Sequence, residues 1–173
     1  MAELPTIRRL LIERLQAEAP ATRRTLERVP QERWPWAPHE RSMPMGRLAG
    51  WLATMLSAVP GVLAADGADV QAGWLGIAPR PTAAEQLVPA FDRAVDAAVG
   101  ALERAPDAAL AGLWTLRSAG RPLEAPQPRY RVLVGFFLPD HIHHRAQLGV
   151  YLRLCDIPVP AVYVRSADEP GPA

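Results

Sequence analysis

The sequence predicts an all-α protein, a four-helix bundle with Pro-rich loops and an extended C-terminal tail. Two observations lead to this class. Four long segments repeat apolar residues every three or four positions, and no segment sustains the alternation that is typical of strands. The chain has 173 residues, enough for one domain with a buried core. We therefore expect a single helical bundle domain over residues 1–173.

The first helix is predicted to run from about Leu4 into the twenties. Leu11 and Leu15 lie on its apolar face, and arginines and glutamates occupy the other face. Pro20 falls inside this pattern, where it removes one backbone hydrogen bond. We expect it to kink or split the helix.

The second helix is predicted from about Pro44 or Met45 to Ala65, with Ser42 as a candidate N-cap. Pro60 is expected to kink this helix or to end its regular part. Its inner stripe consists of apolar residues at helical spacing: Leu48, Trp51, Leu52, Met55 and Val59 or Val62. The following segment, around Trp74, is expected to be a loop.

The third helix is predicted to end near Arg104. Thr82 and Glu85 have the spacing of a capping box at its start. After it, Leu113 to Leu123 contains a short alternation that allows an extended excursion. These patterns predict core packing and no chemistry.

The composition limits the classes of function. The net charge is +1, which gives no electrostatic reason to expect nucleic acid or an anionic membrane as a partner. All basic side chains are arginine, so no lysine is available for a Schiff base. The single Cys155 excludes an internal disulfide and a multi-cysteine metal site. Without a signal-like or membrane-length apolar run, we expect a cytoplasmic protein that acts on a small molecule.

The last helix, Pro128 to Leu152, carries the functional prediction because ionisable groups interrupt its apolar stripe. The residues of this stripe follow at intervals of three or four: Leu133, Phe136, Phe137, Asp140, His144, Gln147, Leu148 and Tyr151. Burying a carboxylate or an imidazole without a partner is unfavourable by several kcal/mol. Asp140 and His144 must therefore be paired, bind a metal or line a cavity.

The segment DHIHHRAQLGVYLRL, residues 140–154, is followed by IPVPAVY and SADE. Together they resemble the last-helix signature of the DinB-like family of small four-helix metalloenzymes. WAPHERSMPMGRLAGWLA resembles the entry to the second helix of that family. The resemblance covers almost the whole chain. It implies a transferase, isomerase or hydrolase type of activity and a homodimer.

The resemblance also implies a divalent metal, often nickel or zinc, held by one histidine of the second helix and two ligands of the last helix. By position, those two ligands are Asp140 and His144. A side chain at i and one at i+4 can share one ion. Trp51 stands where the second-helix histidine is expected, and an indole cannot donate a lone pair to a metal. We therefore expect weak or absent metal binding in a degenerate site.

Val164 and Arg165 form a second departure, because relatives commonly read YGPSADE where this chain reads Tyr163, Val164, Arg165 and Ser166. Natural divergence or deliberate engineering could each produce two such changes. A remodelled, metal-free pocket would use Asp140 as a general base for proton abstraction from a flat substrate.

In that pocket Trp51 would stack on the substrate, His144 would orient the base, Gln147 would reach the cavity and Arg165 would stabilise an oxyanion. A non-catalytic ligand-binding or structural bundle, with Asp140 and His144 simply paired, is the remaining alternative. Nearby, His141 is expected to face a neighbouring helix or solvent, or to replace a ligand after a slight helix rotation.

Overall fold

The first long helix is unbroken. A computed structural model describes residues 5–72 and 77–170, so the predicted loop residue Trp74 lies outside the described residues. Helix α1 (Ile7–Glu27) begins where the Thr6 hydroxyl accepts a hydrogen bond from the N–H of Arg9, at 3.3 Å. Pro20 lies inside the helix on its exposed side, so the predicted split does not occur. The carbonyl of Gln16, which loses its bond to Pro20, is on the same exposed side, where water can hydrate it.

The second long helix consists of three consecutive segments. Helix α2 (Met45–Thr54) is followed by a 3₁₀ segment, Met55–Ala58, and by helix α3 (Val59–Ala64). Pro60 enters α3 near its start, and the tighter turn immediately precedes it. The helix begins after Pro44 with no side-chain cap, so the prediction that Ser42 is the N-cap is wrong.

This second helix is the most apolar part of the core. The stretch Met45–Ala64 has a mean hydropathy of 1.3, long and apolar enough to cross a membrane by length and composition alone. However, 61% of it is buried inside the bundle. A core helix of a soluble bundle passes the same test, and the burial favours that explanation.

The third long helix is α4 (Leu87–Arg104), which follows a 3₁₀ turn at Ala84–Gln86. The predicted capping box is wrong, because the 3₁₀ turn begins after Ala83 and α4 begins after Gln86, both without a side-chain cap. The side-chain oxygen of Gln86 accepts the N–H of Thr82 at 2.9 Å, and this residue takes the place that we predicted for Glu85. Helix α5 (Asp107–Ala111) adds one short turn after α4.

A small sheet covers one end of the helices, where the sequence predicted only a short extended excursion. Strand β2 (Leu113–Ser118) pairs in parallel with β1 (Gly67–Asp69) and antiparallel with β3 (Arg121–Pro122) and β4 (Gln127–Pro128). The β2–β3 turn has positive φ at Ala119 and Gly120, as a two-residue hairpin of type I′ requires. The strands are too short to give a sustained alternation in the sequence.

The last long helix contains a π-helical turn that the sequence did not predict. Helix α6 (Arg129–Val132) leads into the π-helical segment Leu133–Phe137, and α7 (Leu138–Leu154) follows without a break. Helix α1 packs on α4 and α7, and α2 packs on the same two helices. This is the four-helix arrangement that the sequence predicts, and it brings α7 against α2.

Candidate functional site

Asp140 and His144 meet Trp51 where α7 packs against α2. The indole Nε1 of Trp51 donates a hydrogen bond to Oδ2 of Asp140, at 3.2 Å. Nε2 of His144 lies 3.3 Å from Oδ1 of the same carboxylate. The Asp140 side chain is 22% exposed and that of His144 is 13% exposed. Both carboxylate oxygens therefore have a protein neighbour, while a small molecule can still reach the group.

Gln147 fixes the imidazole from its other side. Its side-chain oxygen lies 2.8 Å from Nδ1 of His144. The two residues are three positions apart on α7, so the helix itself sets this contact. His143, the neighbouring histidine, is exposed, and its ring lies edge-on to that of His144 at 5.1 Å between centroids. The site is thus a row of Gln147, His144, Asp140 and Trp51.

The indole ring of Trp51 is covered on one face by an arginine. The guanidinium of Arg80, from the loop before α4, lies 5.2 Å from the ring centroid. Cation–π contacts of this kind are attractive when the cation lies over the ring face. A flat substrate that stacks on Trp51 would therefore have to use the opposite face or displace Arg80.

His141 points away from this row and into the core. It is 1% exposed, and its ring is stacked on Phe91 of α4 with 5.9 Å between centroids and 10° between planes. Among the residues that the structure describes, neither ring nitrogen has a hydrogen-bond partner. Burial, and secondly the positive charge of Arg145, lower the pKa of His141 from 6.5 to about 4. The imidazole is therefore neutral at pH 7 and is not directed at Asp140.

A buried ion pair lies beside His141 between α1 and α7. Glu18 and Arg145 are 1% and 3% exposed, and an Nη of Arg145 lies 2.6 Å from a carboxylate oxygen of Glu18. Arg14 contacts the other oxygen at 2.6 Å. The hydroxyl of Tyr163 lies within 3.0 Å of both Glu18 oxygens and accepts a hydrogen bond from Arg145 at 2.8 Å. This cluster attaches the C-terminal tail to the bundle.

The tail has further attachments and leaves Arg165 in solvent. Asp168 pairs with Arg153 of α7, and Glu169 pairs with Arg28 after α1. The hydroxyl of Ser166 donates to the carbonyl of Val159, at 2.8 Å. Arg165 is exposed, and over residues 5–72 and 77–170 no hydrogen bond or ion pair joins it to Asp140 or His144. Of the residues singled out from the sequence, the structure brings together Trp51, Asp140, His144 and Gln147, and it does not bring Arg165 to them.

Comparison with known proteins gives a consistent result at the level of the fold. No protein-family model matches the sequence, and no curated protein matches it. The solved structures do contain similar chains. A DinB-like protein from Bacillus cereus has a TM-score of 0.65 at 21% identity, covering 88% of this chain and 95% of that one.

A DinB-like protein from Bacillus subtilis has a TM-score of 0.66 at 17% identity, covering 87% of this chain and 96% of that one. The chain has the DinB-like fold. A structure from Exiguobacterium sibiricum agrees, with a TM-score of 0.64 at 20% identity over 89% of this chain and 95% of that one. The match over nearly the full length of each chain confirms the predicted bundle.

Within the DinB-like fold, the donors present here fit the expected metal poorly. Asp140 and His144 are two ligands, and Trp51, at the third position, offers an N–H donor and no lone pair. In the described part of the chain, no group of three or more His, Cys, Asp and Glu side chains converges as a metal site. The N–H of Trp51 lies against Oδ2 of Asp140, and His144 lies beside the other oxygen, Oδ1. This donor set does not form the three-ligand site implied by the family resemblance.

The sequence did not reveal the roles of Glu18, Tyr163 and Arg80. For Glu18 the signal was present, because it follows Leu11 and Leu15 at the spacing of the buried stripe of α1. Tyr163 and Arg80 lie in segments without periodicity, and only the folded chain brings them to their partners.

Proposed function

We propose that this chain is an acid–base protein with a DinB-like fold, in which Asp140 abstracts a proton from a flat small molecule without a metal. The observation that carries the proposal is the hydrogen bond from Nε1 of Trp51 to Asp140. The indole stands at the position of a metal ligand but supplies a hydrogen-bond donor, and it binds the carboxylate that the resemblance assigns to a metal ion.

The neighbours of Asp140 suit a positioned base. Trp51 at one oxygen and His144 beside the other fix the plane of the carboxylate. Each ionised carboxylate oxygen can accept two hydrogen bonds, so acceptor capacity remains for a substrate proton. His144, held by Gln147, places a second titratable group 3.3 Å from the base, where it can stabilise the ionised form when it is protonated.

A second candidate is a residual divalent metal, nickel or zinc, held by Asp140 and His144. The 3.3 Å between Oδ1 and Nε2 favours it, because two ligands of one tetrahedral ion at about 2.0–2.1 Å are separated by about 3.3 Å. Bound there, a metal would supply Lewis-acid chemistry of the transferase, isomerase or hydrolase type. Asp140 would then be a ligand and Trp51 a wall of the site.

Deuterium exchange into a flat carbon acid tests the base directly. The probe is indanone in heavy water, and loss of its α-proton signal is followed by NMR after the protein has been treated with a chelator. We expect Asp140→Asn to lower the protein-dependent exchange rate by about 10²-fold or more, with the helical circular dichroism unchanged. Asp96→Asn, at an exposed carboxylate of α4, is the matched control. An unchanged rate in Asp140→Asn would reject the base assignment.

Thermal stability separates the candidates from a non-catalytic bundle. Stabilisation by zinc or nickel would favour the metal site, and stabilisation by flat aromatic compounds would favour the metal-free pocket. Stabilisation by neither, together with no exchange activity, would favour a structural Asp140–His144 pair.

We further propose that the protein acts in the cytoplasm on a small molecule, and that it is a single domain that associates into a homodimer. Sedimentation equilibrium tests the last point.

A further inference from the structure

A cavity away from Asp140 and His144 lies at the sheet-covered end of the bundle, at the start of the last long helix. Its volume is about 330 Å³. Aromatic side chains form much of its wall, namely Trp114 of β2 with Phe136 and Phe137 of the π-helical segment. Binding sites for small molecules typically have volumes of about 300–1,000 Å³ and mainly apolar walls with a few polar groups. The cavity is therefore large enough for a molecule of one or two rings.

The π-helical turn forms part of the wall of this cavity. Phe137 is 2% exposed, whereas Phe136 is 39% exposed, and their rings meet edge to face at 5.2 Å between centroids. Gly135 also lines the cavity, and a Cβ built there would meet no atom within 4 Å. A regular α-helix would bury the stripe more evenly. In the π-helical turn, the ring of Phe136 and the bare backbone of Gly135 both line the cavity. Turns of this kind are frequent at functional sites.

The polar groups of the cavity carry opposite charges. Glu124 and Arg131 both line it, and within the described ranges they form no ion pair with each other at 4.0 Å or less. The amide of Gln127 donates to Glu124 at 2.9 Å, and Nε of Arg131 donates to the hydroxyl of Tyr130 at 3.4 Å. One anionic and one cationic group therefore face the same apolar cavity without neutralising each other.

Trp114 adds a third feature. The residue is 5% exposed, and its indole Nε1 is buried without a hydrogen-bond partner among the residues that the structure describes. Buried donors normally have partners, and an unsatisfied one destabilises the protein. A bound ligand or a water molecule could supply the missing acceptor.

We propose that this cavity binds a free aromatic amino acid. The aromatic side chain of the ligand lies among Trp114, Phe136 and Phe137, its carboxylate pairs with Arg131, and its ammonium pairs with Glu124. A neutral aromatic molecule would leave both charges unused, and an aromatic acid or amine would use only one. This site is separate from the Asp140 site and does not depend on the function proposed for it.

Calorimetric titration with three related probes tests the charge pattern. The probes are L-tryptophan, tryptamine, which lacks the carboxylate, and indole-propionate, which lacks the ammonium. We expect L-tryptophan to bind about five- to tenfold more tightly than either analogue. Arg131→Ala should weaken L-tryptophan and indole-propionate but not tryptamine, and Glu124→Gln should weaken L-tryptophan and tryptamine but not indole-propionate. Equal binding of all three probes, or no binding at millimolar concentration, would overturn the proposal.

A cavity-filling variant locates the site without risk to the fold. Gly135→Leu adds a side chain in open space and replaces glycine by a better helix former, so we expect the variant to fold and to lose L-tryptophan binding. Val134→Leu is the matched control, because Val134 is 45% exposed, belongs to the same turn and does not line the cavity. Undiminished binding in Gly135→Leu would place the ligand elsewhere. A concentration-dependent dimer that Gly135→Leu abolishes, with no amino-acid binding, would assign the cavity to a second copy of the chain and overturn the proposal.

Discussion

The substitution His141→Leu should change how the stability of the protein depends on pH. His141 is 1% exposed, and burial lowers its pKa from 6.5 to about 4. Between these values the unfolded chain binds a proton that the folded protein does not bind. The free energy of unfolding contributed by this residue is therefore at its maximum above about pH 6.5 and falls as the pH falls towards about 4.

The magnitude follows from the two pKa values. Linkage predicts that the wild type loses about 2–3 kcal/mol of unfolding free energy from His141 alone between about pH 7 and about pH 4.5. Leucine is close to histidine in volume and has no nitrogen to protonate, so His141→Leu should lack this loss. At pH 7 the variant also removes an unpaired buried N–H, which offsets the lost stacking on Phe91.

Urea unfolding at several pH values measures this difference. The neighbours Glu18, Arg145 and His144 are present in both proteins, so the difference between the two curves isolates the effect of His141. His143→Leu, at an exposed histidine of the same helix, is the control and should follow the wild type. Parallel curves for wild type and His141→Leu would refute the reasoning, because they would show that the folded protein does not exclude a proton from His141.

The buried cluster around Glu18 gives two further predictions. Glu18→Gln leaves Arg145, which is 3% exposed, without its buried carboxylate, and should destabilise the fold by about 3–5 kcal/mol in urea unfolding; a loss below about 1 kcal/mol would show that water or Tyr163 replaces the carboxylate. Tyr163→Phe removes one hydroxyl from the same cluster and should lower stability by about 1–2 kcal/mol while making the tail more susceptible to proteolysis. Proteolysis at the wild-type rate would contradict the role of Tyr163 as an attachment point.

The four helices could be predicted because burial imposes a period on the sequence. Leu11 and Leu15 of α1, and Leu48 and Leu52 of α2, are buried as that period requires. The same rule places Glu18 inside, yet a charged residue at an inner position can be recognised as buried only when its partners are known. Arg145 and Tyr163 are distant from Glu18 in sequence, so their pairing with Glu18 could not be predicted.

The π-helical turn and the sheet illustrate a second limit. A stripe assigned with 3.6 residues per turn places Phe136 inward, and one additional residue in the turn rotates it to 39% exposure. The sheet arises from short pairings between β2 and strands that precede and follow it. Neither feature leaves a periodic signal, and together they form the cavity beside Trp114.

At the candidate site, the sequence identified the residues that meet but not the bonds that they make. The i,i+4 spacing of Asp140 and His144, and the register of α2, placed Trp51 beside them. The direction of the indole N–H and the position of Arg80 over the ring depend on side-chain rotamers and on a loop. These two details decide what the site can hold.

Metal content after dialysis against nickel or zinc, measured for the wild type and for Trp51→His, is the most direct test of the account. We expect the wild type to retain far less than one ion per chain, because the N–H of Trp51 occupies the place of the third ligand. Trp51→His restores a lone-pair donor opposite Asp140 and His144 and should retain close to one ion per chain. Near-stoichiometric metal in the wild type would contradict a metal-free site.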